Sequence, residues 1–327
     1  MPRSSSNLTI AWILAAAIAA ITALGLGTSA LGWPLYLELF SHFQAQYLGL
    51  NLLLLVVLGG LTRKPPFWLG LFCCIALAAP VVSWYVPAQE RSPELGNLRV
   101  LVANLNYQNE RYDLVADLMA QEEPDVALFM EVDQGWQTQL DEMISLPHTY
   151  SQSTRREAGM ALYSRYALAS PEVNRFGTER SASILTHLTV NGQRLLLVTT
   201  HPLPPTGQRW FNSRNRQLQG LGDYLAGREE PLLVLGDFNT TMWSPYYKRF
   251  VRAANLANAR RGFGLLPSWP TQRTFKGVSG PLALLFSVPI DHGLHSPSLE
   301  VVNIRLGAFT GSDHRPLVVD LNVTSEA

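Results

Sequence analysis

The chain has 327 residues, 47% of them hydrophobic and only 15% charged, and its 25 Lys plus Arg balance 25 Asp plus Glu. That charge fraction is low for a soluble protein, and zero net charge provides no global basic field to gather nucleic acid. Both cysteines, Cys73 and Cys74, sit side by side in an apolar run, which rules out a disulfide framework or a Cys-based zinc site in the rest of the chain.

The hydrophobic excess is local. Between Leu8 and Val86 the only charged residues are Glu38, Arg63 and Lys64. Residues 8–31 are apolar and uncharged over a length that spans a hydrocarbon core. Residues 67–86 form a second such run, rimmed by Trp68, Trp84 and Tyr85 like interfacial aromatics. A shorter run, 47–61, within a helix expected over 43–62, carries Asn51. The expectation is an all-α transmembrane segment of three helices over residues 1–87. A cleaved signal peptide competes for the first run, but its length and the two runs that follow favour a membrane helix. Arg3 and the Arg63-Lys64 pair place the N-terminus and the second loop in the cytoplasm. Three crossings then put the C-terminal part outside, and a bacterial inner membrane is the simplest home. Residues 88–97, rich in Pro, Glu, Ser and Gly, read as a polar linker.

From residue 98 to 327 the composition is that of a soluble domain. Apolar runs predict strands at 98–103, 126–130, 160–164, 184–190, 195–200, 232–235, 301–306 and 317–321, with helices over 110–122 and 208–225. Many strands with few helices suggest two packed sheets covered by helices, an α/β (α+β) fold. The basic groupings Arg155-Arg156, Arg209/Arg214/Arg216 and Arg249/Arg252/Arg260/Arg261 read as solvated helix faces. The 242–247 stretch, Met-Trp-Ser-Pro-Tyr-Tyr, suits base stacking, a lipid interface or plain packing.

Several predicted strands stop at a polar residue. Asn104 follows the first and Glu131 the second; a carboxylate ending a fully apolar strand costs free energy unless it is paired or on a metal. Asn106, two residues on from Asn104, is a rival for the same place. His201 follows Leu-Leu-Leu-Val-Thr-Thr; its imidazolium can neutralise a phosphate or protonate a leaving oxygen. Asp237 and Asn239 follow Leu-Leu-Val-Leu-Gly and, two residues apart, point the same way. Asp237 can accept a proton from water and Asn239 can hold a phosphoryl oxygen, although an Asx-turn explains the pair equally well in isolation. Asp291 can orient an imidazole. His292 beside it reads as structural. Asp313 and His314 lie in Ser-Asp-His-Arg-Pro ahead of the last strand.

Taken together and in this order, the motifs "PDVALFMEV", "GMALYSRYAL", "THP", "GDFN", "PIDHGL" and "SDHRPL" resemble the endonuclease/exonuclease/phosphatase superfamily of DNase I-like fold, over nearly all of 98–323. The resemblance implies a four-layer αββα sandwich and hydrolysis of a phosphate ester by in-line attack of water, aided by Mg²⁺ or Mn²⁺. It implies Glu131 as principal metal ligand, Asn104 near metal and phosphate, and Asp313 beside the metal. Asp237 would position or deprotonate the water and Asn239 would bind phosphate. His201, and His314 oriented by Asp291, would contact the scissile group. The Tyr that some relatives place at the phosphate has no secure match; Tyr107 and Tyr163 are the candidates.

The expected protein is therefore a membrane-anchored, divalent-metal-dependent phosphodiesterase or phosphohydrolase, partnered by the lipid bilayer through its N-terminal helices. Its substrate is a phosphoester, expected to be a lipid or an extracytoplasmic compound. A tethered nuclease acting on DNA or RNA, and a catalytically silent binding module, are the alternatives.

Overall fold

The computed structural model describes residues 3–87, 96–152, 159–177, 181–272 and 280–324. In chain order the N-terminal part comprises α1 (Arg3–Ala30), α2 (Leu35–Glu38), a 3₁₀ turn (Leu39–Phe43), α3 (Gln44–Leu61) and α4 (Pro65–Val82). There follow β1 (Leu98–Asn104), α5 (Tyr112–Glu122), β2 (Val126–Met130), α6 (Gln134–Met143), β3 (His148–Gln152), β4 (Met160–Ser164), β5 (Ala169–Asn174), β6 (Ser183–Val190) and β7 (Gln193–Thr200). The chain closes with α7 (Gln208–Leu225), β8 (Leu232–Asp237), α8 (Pro245–Ala253), β9 (Ala257–Asn258), α9 (Pro281–Leu284), β10 (Asp291–His295), β11 (Glu300–Leu306) and β12 (Leu317–Asn322).

Three N-terminal helical stretches, 6–30, 35–61 and 65–82, are long and apolar enough to cross a membrane. Most of the expected linker, and the Arg155-Arg156 pair, lie outside the described residues.

Two six-stranded sheets make the remainder, in the orders β11-β12-β1-β2-β4-β3 and β5-β6-β7-β8-β10-β9. Strand periodicity explains the layering. Leu98, Val100 and Val102 of β1, Val126, Leu128 and Met130 of β2, and Leu233 and Leu235 of β8 fill the space between the sheets. The alternate residues Leu101, Ala103, Ala127 and Phe129 pack under α5 and α6, with Val115, Leu118, Trp136 and Leu140. On the far side, Leu232 and Val234 meet Leu218, Leu221, Leu225 and Phe250 of α7 and α8. The result is the four-layer αββα sandwich expected for a DNase I-like fold.

The elements that sequence did not predict are those without an apolar run. Strand β5 is a largely exposed edge, and β10, Asp-His-Gly-Leu-His, exists because its backbone pairs with β8. The apolar N-terminal helices pack directly on the helix layer over the second sheet. Val81, with Ala45, Leu48 and Trp84, joins the apolar cluster of α7 and α8. Trp243 donates its indole N–H to the Pro80 carbonyl at 3.0 Å. The 242–247 stretch is thus mostly buried against the membrane helices, which removes the base-stacking reading of Trp243 and Tyr247.

Candidate active site

The polar cluster forms where the core between the sheets ends. Continuing the inward-facing stripe of each strand by one step gives Asn104 on β1, Asp237 on β8 and Asp291 on β10. His292 falls on the opposite face of β10, with Leu294. There it is fully buried between Phe238 and Tyr247, within hydrogen-bond reach of the Thr240 carbonyl at 2.8 Å. Burial and then the nearby Arg260 guanidinium push its pKa down to about 3, so it is a neutral structural ring. Parity separates the two neighbours, a reason independent of residue type.

Register brings the acids together. In the antiparallel pair β8–β10, Asp237 and Asp291 are direct cross-strand partners. Two opposed carboxylates repel, and His314 enters between them, with Nδ1 2.9 Å from Asp291 and Nε2 3.7 Å from Asp237. Burial alone would depress this imidazole, but the two carboxylates outweigh it and hold its pKa at about 10. The parallel pairing of β7 and β8 runs on to set His201 beside Asp237, Nε2 to carboxylate 3.5 Å. Burial likewise opposes the charge on His201, and the hydrogen bond and charge of Asp237 raise its pKa above the ordinary value.

Gly236 makes this approach possible. Its φ is +150°, and a Cβ there would stand 1.8 Å from the Thr200 carbonyl oxygen. Any other residue would drive β7 and His201 away from Asp237.

Asn104 ties the two sheets together. Its amide donates to Glu131 at 3.0 Å and to Asp237 at 3.3 Å. Glu131, just past β2, has a φ of +57°, a left-handed turn that aims a side chain off the strand pattern and back toward Asn104. Asn106, also left-handed, donates to Asp313 at 2.9 Å, and the Trp269 indole donates to the other Asp313 oxygen at 3.1 Å. The eight residues singled out from sequence therefore form one connected cluster. Asn239 differs in detail: its amide donates to the Pro202 carbonyl at 2.9 Å, and its own carbonyl accepts from Arg214 at 2.9 Å. Asn106 and Trp269 are participants that the strand-end pattern did not single out. Tyr163 points away, its hydroxyl donating to Asp141 under α6.

Glu131 carries the strongest mark of a cation site. Burial raises its pKa and outweighs the His201 charge, the Asn104 hydrogen bond and the His314 charge, which act to lower it; the nearby Asp313 charge adds to the rise. Glu131 and Asp313 offer hard oxygen donors with no Lys or Arg ion-paired to either among the described residues, a set that suits Mg²⁺, Mn²⁺ or Ca²⁺. Asp237, Asp291 and His314 also lie close enough to share an ion. Their charges are already closed by the imidazolium, so the donor set around Glu131 is the better fit.

Two arginines expected on solvated faces are instead fully buried. Arg260 packs beside His292. Arg214, on α7, forms an ion pair at 3.1 Å with Glu38 of the membrane segment, and both side chains are completely inaccessible. Glu38 also accepts a hydrogen bond from Ser244, and His42 lies 3.0 Å from the Thr241 hydroxyl.

Comparison with known proteins shows the family and the fold. The model of a family described as "Endonuclease/Exonuclease/phosphatase family" matches residues 101–314. No curated protein matches the chain. Among solved structures, humanised D. rerio TDP2 is 17% identical with a TM-score of 0.55, covering 69% of this chain and 98% of that one. The human Nocturnin catalytic domain with bound sulfate is 21% identical, TM-score 0.54, covering 70% and 94%. A Bacteroides thetaiotaomicron mannosyl-6-phosphatase is 16% identical, TM-score 0.54, covering 68% and 99%. At these identities the likeness is one of fold.

Proposed function

Because this chain belongs to the endonuclease/exonuclease/phosphatase family, whose members are metal-dependent phosphoesterases, we propose that it is a membrane-anchored phosphoester hydrolase whose centre comprises Asn104, Glu131, His201, Asp237, Asn239, Asp291, Asp313 and His314. The observation that carries this reading is the pairing of Asp237 with two imidazoles, beside Glu131, a half-buried carboxylate to which no Lys or Arg is ion-paired among the described residues.

Asp237 accepts the proton of the attacking water as its oxygen bonds to phosphorus. The opposite phosphorus–oxygen bond breaks in line, and the departing oxygen takes a proton from His201 or from solvent. His314, held by Asp291, presents positive charge to the phosphoryl oxygens as their charge grows. A Mg²⁺ or Mn²⁺ on Glu131 and Asp313 would act as a Lewis acid toward the same oxygens. The ends of α1 and α4 and the start of α3 contact the hydrolase domain, while Arg63 and Lys64 lie at the opposite ends of α3 and α4. By the distribution of positive charge, the catalytic side is extracytoplasmic.

Full-length protein in detergent should hydrolyse p-nitrophenyl phosphodiesters with Mg²⁺ or Mn²⁺. EDTA and Asp237→Asn should each abolish turnover. Absence of turnover in folded, metal-supplied protein would refute the reading, and cleavage of plasmid DNA alone would turn it to the nuclease.

A further inference from the structure

Beyond Val86, the described residues include five large hydrophobic side chains that are exposed: Leu282, Leu284, Leu285, Phe286 and Phe309. Four of them fall within five consecutive positions on α9 and the turn after it, and Leu282 and Leu285 are 61% and 62% exposed. A contiguous apolar patch of this kind on an otherwise neutral, polar surface marks an interaction site.

Its neighbour identifies the partner. Gln46, in the first turn of α3, donates its side-chain amide to the Ser287 carbonyl at 3.0 Å. The turn that carries Leu284, Leu285 and Phe286 is therefore pinned to the first turn of α3, within the 35–61 stretch that is long and apolar enough to cross a membrane. Large apolar side chains held there enter the acyl boundary of the bilayer rather than water.

The same turn forms one wall of a cavity of about 630 Å³. Leu284, Leu306, Phe309, Pro267 and Pro270 supply apolar surface, and no acidic residue lines it among the described residues. Thr271 and Arg315 line it too; the Thr271 backbone N–H donates to the Asp313 carbonyl at 2.9 Å and its hydroxyl to the Ser312 carbonyl at 2.9 Å, and Arg315 follows His314 directly. The cavity thus lies beside both the 282–286 patch and the loop that carries Asp313 and His314, and its volume is that of an ordinary ligand site.

We infer that this cavity receives an acyl chain of a bilayer phospholipid, admitted past the 282–286 patch, so that the lipid's phosphoester meets the catalytic cluster. The inference rests on the hydrolase reading above and adds the substrate class. A soluble substrate would need neither an apolar wall reaching the membrane nor an apolar patch beside it.

The test uses the full chain in phospholipid nanodiscs with Mn²⁺ and two esters of one leaving group: methyl p-nitrophenyl phosphate, which has no acyl chain, and phosphatidyl-p-nitrophenol incorporated in the disc. Wild type should favour the lipid ester at least tenfold in kcat/KM. Leu284→Gln in the cavity wall and Leu285→Asp on the patch should each lower the ratio of lipid-ester to methyl-ester turnover by at least tenfold. Hydrolysis of the methyl ester without preference for the lipid, or a ratio that neither variant moves, would overturn the lipid assignment while leaving the hydrolase reading intact. If wild type cleaves neither ester, the hydrolase reading fails and this inference falls with it.

Discussion

Two buried polar clusters lie on either side of Asn239, and they differ in whether their charges are closed. On one side, Glu38 of the membrane segment is matched by Arg214 and capped by Ser244, with His42 3.5 Å away. On the other, half-buried Glu131 has a neutral amide as hydrogen-bond donor, Asp313 nearby and no direct ion pair among the described residues, the His201 and His314 charges acting on it only from a distance. Arg214 reaches both, through Glu38 and through the Asn239 carbonyl. The closed cluster holds the apolar N-terminal helices to the hydrolase domain, whereas the open one is where, on the proposed function, a cation and a phosphate would bind. Burial of charge alone does not mark a catalytic centre; burial without neutralisation does.

The largest separation between the two clusters should come from Glu131→Gln. Removing the uncompensated charge should lower kcat by about 10³-fold or more, the scale of losing a principal electrostatic contribution, while thermal unfolding of the metal-free protein stays at or above the wild-type temperature. A drop in both would place Glu131 in the structural class.

Arg214→Met should behave in the opposite way. Leaving Glu38 buried and unpaired costs about 3–5 kcal/mol, read as a lower unfolding midpoint in detergent, and activity should fall because the Asn239 carbonyl loses its donor. The double change Glu38→Leu with Arg214→Met should recover most of the stability; failure to recover would mean that the pair holds more than its own charge.

A smaller effect should follow Asp291→Asn. It weakens the hold on His314 without emptying the site, so kcat should fall about 10- to 10²-fold, with His314 titrating at lower pH by NMR. An unchanged titration would remove the orienting role.

The smallest belongs to an exposed pair that serves as a control. Glu230 meets Arg228 at 2.7 Å and His187 at 3.0 Å on the surface. Partial burial acts to raise its pKa, but the hydrogen bonds of Arg228 and His187 outweigh that and lower it. A lowered folded pKa means a contribution that is present above the unfolded carboxyl value and is lost as pH falls through the folded one, hence below about pH 4.5. Glu230→Gln should cost under about 1 kcal/mol, with no loss above 150 mM salt. A larger cost would show that the surface is less screened than the comparison assumes.

The open cluster was the more legible in sequence, for a physical reason. Its members end apolar runs, so Asn104, Glu131, His201 and Asp237 announce themselves by position. The distinction between Asp291 and His292 needed strand parity, which the short, polar β10 does not display until β8 pairs with it. The closed cluster was not legible as a pair. Glu38 reads as one charge in a loop and Arg214 as one of several on an amphipathic helix, and nothing local states that they meet. The four-layer architecture followed from the strand count and the family motifs. The docking of the membrane helices on α7 and α8 did not, because it depends on side chains from two distant stretches whose apolar faces look self-sufficient.

The most direct test of the central contrast is Mn²⁺ binding by the full chain in detergent, followed by electron paramagnetic resonance. Wild type and Arg214→Met, the latter studied below its unfolding temperature, should both take up Mn²⁺, and Glu131→Gln should lose most of the bound signal. Equal binding by wild type and Glu131→Gln, or none by wild type, would contradict the claim that the uncompensated carboxylate is where the metal and the chemistry reside.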